Sequence, residues 1–171
     1  METASLLRLA DGRKLAFQEW GEPGGQPVVS IHATPGSRLE RYPDEQAIAE
    51  RNIRLITFDR PGYGLSDAQP GRTLLDCAGD VVRLADHLGL EAFSLMGMSG
   101  GGPFVLATAW ATSGRVLSAA VSCGLAPLDR DDAFVGMSEG NARELALARS
   151  DPAKLMPRSE GELDTGHGQA P

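Results

Sequence analysis

Gly97-Met98-Ser99-Gly100-Gly101 is a G-x-S-x-G in a setting that could make its serine a nucleophile. The apolar run over 92–96 before it reads as a buried strand, and 103–111 after it reads as a helix. A serine on a sharp turn between strand and helix stands clear of the backbone and can offer its Oγ to a carbonyl carbon. Glycine suits both flanks, because a side chain at Gly97 or Gly101 would collide with the neighbouring strand or helix. Pro103 falls in the first helical turn, where a missing N–H costs nothing. Such a serine also needs a histidine base, and usually an acid to orient it. His32 and His87 precede Ser99, and only His167 follows it.

The elements that must position this serine are legible along the chain. Residues 5–10 and 14–20 bracket Asp11-Gly12, a strong hairpin signal. After a Gly/Pro loop, 28–31 and 53–58 read as short buried strands, with a helix over 41–51 between them. The clearest helix spans 73–88: Thr73 caps it with Asp76 three residues on, and Gly89 ends it. Its apolar stripe is Leu74, Ala78, Val81, Ala85 and Leu88. Another strand follows the elbow at 116–122, and 129–149 reads as one or two amphipathic helices. A leading antiparallel hairpin followed by strand–helix alternation implies an α/β fold with a mostly parallel sheet and flanking helices.

With 171 residues, 42% of them hydrophobic, the chain can fill one core. A net charge of −7 speaks against a nucleic-acid surface. No apolar run could cross a bilayer, and the first residues do not read as a signal peptide, so neither a membrane nor export is expected. Cys77 and Cys123 lack metal-ligand spacing and are expected as buried, reduced thiols in a cytoplasmic protein. No cluster suggests a metal, and no cofactor is expected. Ser99 stands where a dinucleotide fingerprint needs its second glycine, and the lysine of a phosphate loop is missing.

Three segments, each after a strand, converge: His32-Ala33-Thr34-Pro35-Gly36, Asp59-Arg60-Pro61-Gly62-Tyr63-Gly64-Leu65-Ser66, and the elbow at Ser99. Together they resemble the α/β-hydrolase superfamily over about 6–149, and Met98-Ser99-Gly100-Gly101-Gly102-Pro103 looks most like its small esterase-type members. The resemblance implies that His32 to Gly36 is the oxyanion loop, with Ala33 where the family usually has glycine. It implies oxyanion donors at the backbone N–H groups of Thr34 and Gly100, each worth roughly 3–4 kcal/mol in related chemistry. His32, ending a strand ahead of the serine, is expected to pin that loop rather than act as base. The Asp59–Ser66 segment is expected as scaffold, and His87 as a surface residue. Serine at the elbow argues against dehalogenase and epoxide-hydrolase chemistry, where the family uses aspartate.

The base and acid are harder to place. His167 follows a glycine, as a hydrolase's last histidine often does, but no strand precedes it to hold it within about 3 Å of the serine. Asp129 follows the last strand and could be the acid. The blander reading of Asp129, with Asp131 and Asp132, is favourable charge at a helix N-terminus. The organisation expected is a hydrolase core over 1–128, the start of a helical lid over 129–149 and a disordered tail over 150–171. That is the N-terminal part of an α/β-hydrolase fold, with later strands and a final helix missing. The strand at 116–122 is then an exposed edge, and self-association through it is expected. Two functions follow. One is a serine hydrolase acting through Ser99 on a small-molecule acyl substrate. The other is an inactive, truncated hydrolase-like protein or binding module without base and acid.

Overall fold

Asp11-Gly12 does turn the chain back on itself. β1 (Ser5–Arg8) pairs antiparallel with β2 (Lys14–Gly21), and Gly12 takes φ +90°, which glycine adopts freely. The computed structural model describes residues 4–41, 44–151 and 154. Its chain forms two compact units, Met1–Leu125 and Ala126–Pro171.

In the first unit, β3 (Gln26–Ile31), β4 (Ile53–Phe58), β5 (Phe93–Met98) and β6 (Val116–Ser122) join the hairpin in one sheet of order β1-β2-β4-β3-β5-β6. β4, β3, β5 and β6 run parallel, and β2 pairs antiparallel with β4. The connections are α1 (Glu45–Glu50), α2 (Leu74–His87) and α3 (Gly102–Ala111). Strand alternation sorts the two sheet faces. Val29, Ile31, Ile56 and Leu95 share the core with Val81, Leu84 and Ala85 of α2 and Val105 of α3. Val28, Leu55 and Met96 face the other way. There, with Ala47, Ile48 and Ile53, they line a cavity of about 430 Å³ beside α1. β6 is the edge strand on the β5 side of the sheet among the described residues, and six of its seven residues are exposed.

α2 starts where expected, with the full capping box: Thr73 Oγ1 accepts from the Asp76 N–H, and Asp76 accepts from the Thr73 N–H. Its buried stripe is shifted, taking in Cys77, Ala78, Val81, Leu84 and Ala85 while Leu74 stays 43% exposed. Asp80 is buried as well, because Arg13 grips both of its oxygens at 3.0 and 2.8 Å. α1 is shorter than expected, since Asp44 accepts from the Ala47 N–H at 2.9 Å and so fixes its start.

The second unit holds turns and then α4 (Glu139–Ser150), capped by Ser138. The helix expected from 129 begins ten residues later. Gly136, at φ +81°, is incompatible with helix, and Arg130 is paired locally with Asp132 at 2.8 Å. Asp129, Asp131 and Asp132 therefore sit in turns and cap no helix. Ser150 closes α4, and the rest of the expected tail lies, apart from 151 and 154, outside the described residues. No helix among the described residues is long and apolar enough to cross a membrane.

Candidate active site

β5 delivers Ser99 at its carboxyl end, where a single 3-10 turn (Ser99–Gly101) runs straight into α3. Ser99 takes φ +48°, a left-handed conformation that costs a non-glycine residue on the order of 1 kcal/mol or more. Its neighbours show why the turn tolerates nothing larger. A Cβ at Gly97 would come within 2.7 Å of Val105 Cγ2 and 3.1 Å of the Ile31 carbonyl oxygen. At Gly101 it would meet the backbone of Ile31, and the His32 carbonyl oxygen at 2.8 Å. The elbow is thus wedged between β3 and α3. Ser99 is half-buried, and its Oγ makes no hydrogen bond among the described residues.

The loop after β3 packs against that elbow. A Cβ at Gly100 would touch Thr34 Oγ1, with Thr34 Cβ at 2.7 Å and Thr34 N at 3.1 Å. Gly100 and Thr34 are therefore in direct contact. The Gly100 N–H lies in a first helical turn, where no intrahelical acceptor exists. No acceptor for the Thr34 N–H stands among the described residues either. Two backbone donors without an acceptor among the described residues thus stand beside a serine.

Everything behind Thr34 is tied down. The Ala33 N–H donates to the Glu40 carboxylate at 3.0 and 3.2 Å. The Ala33 carbonyl accepts from Arg60 Nη2 at 2.8 Å. It also lies 2.8 Å from His32 Nδ1. His32 Nε2 accepts from the Arg60 backbone N–H at 3.1 Å, so the ring proton resides on Nδ1 and points at Ala33. Burial above all, with a smaller contribution from the nearby Arg60 cation, pushes the His32 pKa down to about 4, so the ring is neutral at pH 7. A neutral histidine with both nitrogens engaged inside its own loop has no lone pair to lend Ser99.

The Asp59–Ser66 segment runs alongside. Asp59 is fully buried and its carboxylate accepts from the Arg38 N–H at 2.6 Å, Arg38 Nη1 at 2.9 Å and the Leu65 N–H at 2.9 Å. Ser66 Oγ bridges the Asp59 carbonyl and the Ala16 N–H. Gly64 takes φ +50° hard against the Asp59 carboxyl. These bonds hold the strand ends in position and engage both Asp59 carboxylate oxygens within the scaffold.

His87 is exposed at the end of α2 that leads into β5, so it lies at the amino ends of the strands. The six residues of β5 separate that end from Ser99 by roughly 20 Å. Asp129 is exposed in a turn of the second unit. His167 lies outside the described residues. Of the two cysteines, Cys77 is buried, and burial pushes its thiol up to about 12. Cys123, expected to be buried, is instead exposed just after β6, because that strand has no neighbour over it among the described residues.

Sequence reasoning overlooked Arg60 as an individual residue. It is 2% exposed, lies between the rings of Tyr63 and Phe104 (4.7 Å to each centroid), and pairs with no carboxylate among the described residues. Burial lowers its pKa from the usual arginine value, but a guanidinium stays protonated in a protein. The signal was available: a single cation stood between Asp59 and Pro61 in a segment taken as scaffold.

Known proteins resemble this chain in sequence and fold. The family model described as alpha/beta hydrolase fold matches residues 26–154. A proline iminopeptidase of Xanthomonas citri is 32% identical over 110 residues, 60% of this chain and 34% of that protein. A non-heme chloroperoxidase of Streptomyces lividans is 33% identical over 122 residues, 70% and 44% of the two chains. Among solved structures, an esterase from Exiguobacterium antarcticum superposes with a TM-score of 0.70 at 26% identity, over 90% of this chain and 59% of that one. The chain thus spans less than half the length of these two curated relatives. A sheet in the order β1-β2-β4-β3-β5-β6, a left-handed serine at the end of β5 and a family match over most of the length agree, and the chain belongs to the α/β-hydrolase fold family.

Proposed function

We propose that this chain carries the nucleophile and the oxyanion hole of a serine hydrolase acting on a small ester or a related carbonyl substrate. Ser99 Oγ attacks the carbonyl carbon and its proton passes to a general base. The carbonyl oxygen becomes an oxyanion held by the Thr34 and Gly100 N–H groups. Collapse expels the alcohol, protonated by the same base, and water then releases the acid from the acyl-serine. One observation carries this reading: Ser99, in a left-handed turn that glycine would occupy more cheaply, adjoins two backbone donors with no acceptor among the described residues. The similarity to an esterase fits acyl transfer. His32 is engaged within its own loop and His87 stands at the other end of the strands, so His167 is the candidate base within this chain.

Fluorophosphonate labelling of the purified chain tests the reading, with Ser99→Ala and His167→Ala as controls. Labelling lost in both variants makes His167 the base. Labelling lost only with Ser99→Ala means that another residue or another chain supplies it. Equal labelling of Ser99→Ala removes Ser99 from the chemistry.

A further inference from the structure

Thr34 contributes a side chain to this site as well as a backbone N–H. Arg60 Nη2 donates to Thr34 Oγ1 at 2.7 Å. A guanidinium has donors only, so the threonine oxygen must accept, and its own O–H proton is directed elsewhere. Among the described residues no acceptor receives it. The hydroxyl is not turned away from the elbow, because Oγ1 is the first atom that a Cβ on Gly100 would strike. Thr34 itself is exposed.

Arg60 accounts for the energetics of this arrangement. A cation that is 2% exposed and unpaired with any carboxylate among the described residues is a costly group to bury. Two aromatic faces and two acceptors, the Ala33 carbonyl and Thr34 Oγ1, offset part of that cost. Its field is therefore left over for an anion, and Thr34 stands between it and Ser99's neighbour Gly100. A hydroxyl whose oxygen accepts a charge-assisted hydrogen bond is a stronger donor through its own proton.

We infer that the Thr34 hydroxyl, polarised by the buried Arg60 guanidinium, is a third donor to the oxyanion beside the Thr34 and Gly100 N–H groups. Thr34 is then a catalytic residue through its side chain, and Arg60 is a positioning residue acting through it. The inference rests on the nucleophilic reading of Ser99.

The test compares the 171-residue chain with Thr34→Val, Thr34→Ser, Arg60→Gln and the Thr34→Val/Arg60→Gln pair. The readout is the second-order rate of labelling by a fluorophosphonate. In that step the Ser99 O–P bond forms, the P–F bond breaks, fluoride leaves, and the serine proton goes to base or solvent. Thr34→Val removes the hydroxyl at nearly constant volume and slows labelling on the order of tenfold to a hundredfold. Thr34→Ser restores the rate to within about threefold. In the Thr34→Val background, Arg60→Gln adds little further loss, because the two act in series. A purely structural Arg60 would give additive losses. If Arg60→Gln does not fold, the Thr34 pair still decides the matter. Labelling by Thr34→Val at the parent rate overturns the inference and leaves the Ser99 reading intact. Equal losses in Thr34→Val and Thr34→Ser also overturn it, since a packing change would then suffice. A parent chain that never labels ends both readings together.

Discussion

β5 carries Ser99 between two parallel neighbours that share little except direction. β3 is covered, with Val29 and Ile31 fully buried, and its carboxyl end runs into a loop whose residues are tied by Glu40, Arg60 and one another. β6 pairs with β5 through an irregular register between Phe93 and Leu95, and six of its seven residues are open. Beside it Leu106 and Trp110 of α3 stand 60% and 75% exposed. On the first flank, a charged network holds the groups proposed to receive an oxyanion. On the second, apolar surface waits without cover among the described residues. The contrast separates two tasks of a hydrolase site. Receiving negative charge is done by fixed dipoles, which long-range hydrogen bonds from β3 and β4 can hold unaided. Delivering a base needs a further rigid element. Under the proposed function, that element approaches from a side that β3 does not occupy.

The difference between the flanks can be broken at Asp59. Asp59→Ala leaves the Arg38 guanidinium half-stranded in the interior and orphans the N–H groups of Arg38 and Leu65. Removing one partner of a buried pair costs about 3–5 kcal/mol, which shows as a lower urea midpoint in circular dichroism. Ser122→Ala, on the exposed end of β6, changes the unfolding free energy by less than about 0.5 kcal/mol. Similar losses at both positions would mean that the two flanks are equally well built, against the comparison.

Acid probes the same wiring at His32. Its folded-state pKa of about 4 lies below the unfolded value of 6.5, so the unfolded chain binds more protons between those limits. Stability therefore rises with pH across that window and falls as the solution is acidified from 6.5 towards 4, by up to about 3 kcal/mol. Denaturation midpoints at pH 7 and pH 4.5 check this, with His32→Gln as the variant whose pH dependence should flatten. An unchanged slope in that variant would place the acid sensitivity elsewhere and remove His32 from the buried network.

How much of this was readable in the residues depends on the range of the forces involved. The hairpin, the capping box at Thr73, the strands at 53–58 and 116–122 and the elbow rest on local periodicity and turn chemistry, and the structure has them where the sequence signals stand. Misreadings occur where a distant residue decides. Asp80 lies in the buried stripe of α2 because Arg13, far away in sequence, reaches it. Cys123 is exposed because of what does not lie over β6 among the described residues, which no local pattern encodes. The segment from 129 carries helical apolar spacing, yet Gly136 and short charge pairs make turns of it. At the site, residue types and spacing pointed to Ser99, and the family resemblance to Thr34 and Gly100, whereas the Arg60–Thr34 contact needed the meeting of two loops.

The open flank yields the mildest stability change and the clearest association change. An edge strand of sequence Val116-Leu117-Ser118-Ala119-Ala120-Val121-Ser122 has neither proline nor charge to deter pairing with another chain. We expect the isolated chain to self-associate along it, despite a net charge of −7, because the repulsive charges lie elsewhere than on this strand. Leu117 is 63% exposed, so Leu117→Lys removes little packing and changes the unfolding free energy by no more than about 0.5 kcal/mol. The same change sets a cation on the edge and shifts sedimentation towards monomer, most at low salt where like charges repel furthest. Lysine at an exposed position away from the strand, such as Gly24→Lys in the loop between β2 and β3, leaves the distribution as it was. If the parent chain sediments as a monomer at all concentrations, the bare flank is tolerated in water and the asymmetry about β5 concerns the chemistry alone. If Leu117→Lys leaves oligomers in place, they form through another surface, and the apolar side of α3 around Trp110 is the next to test.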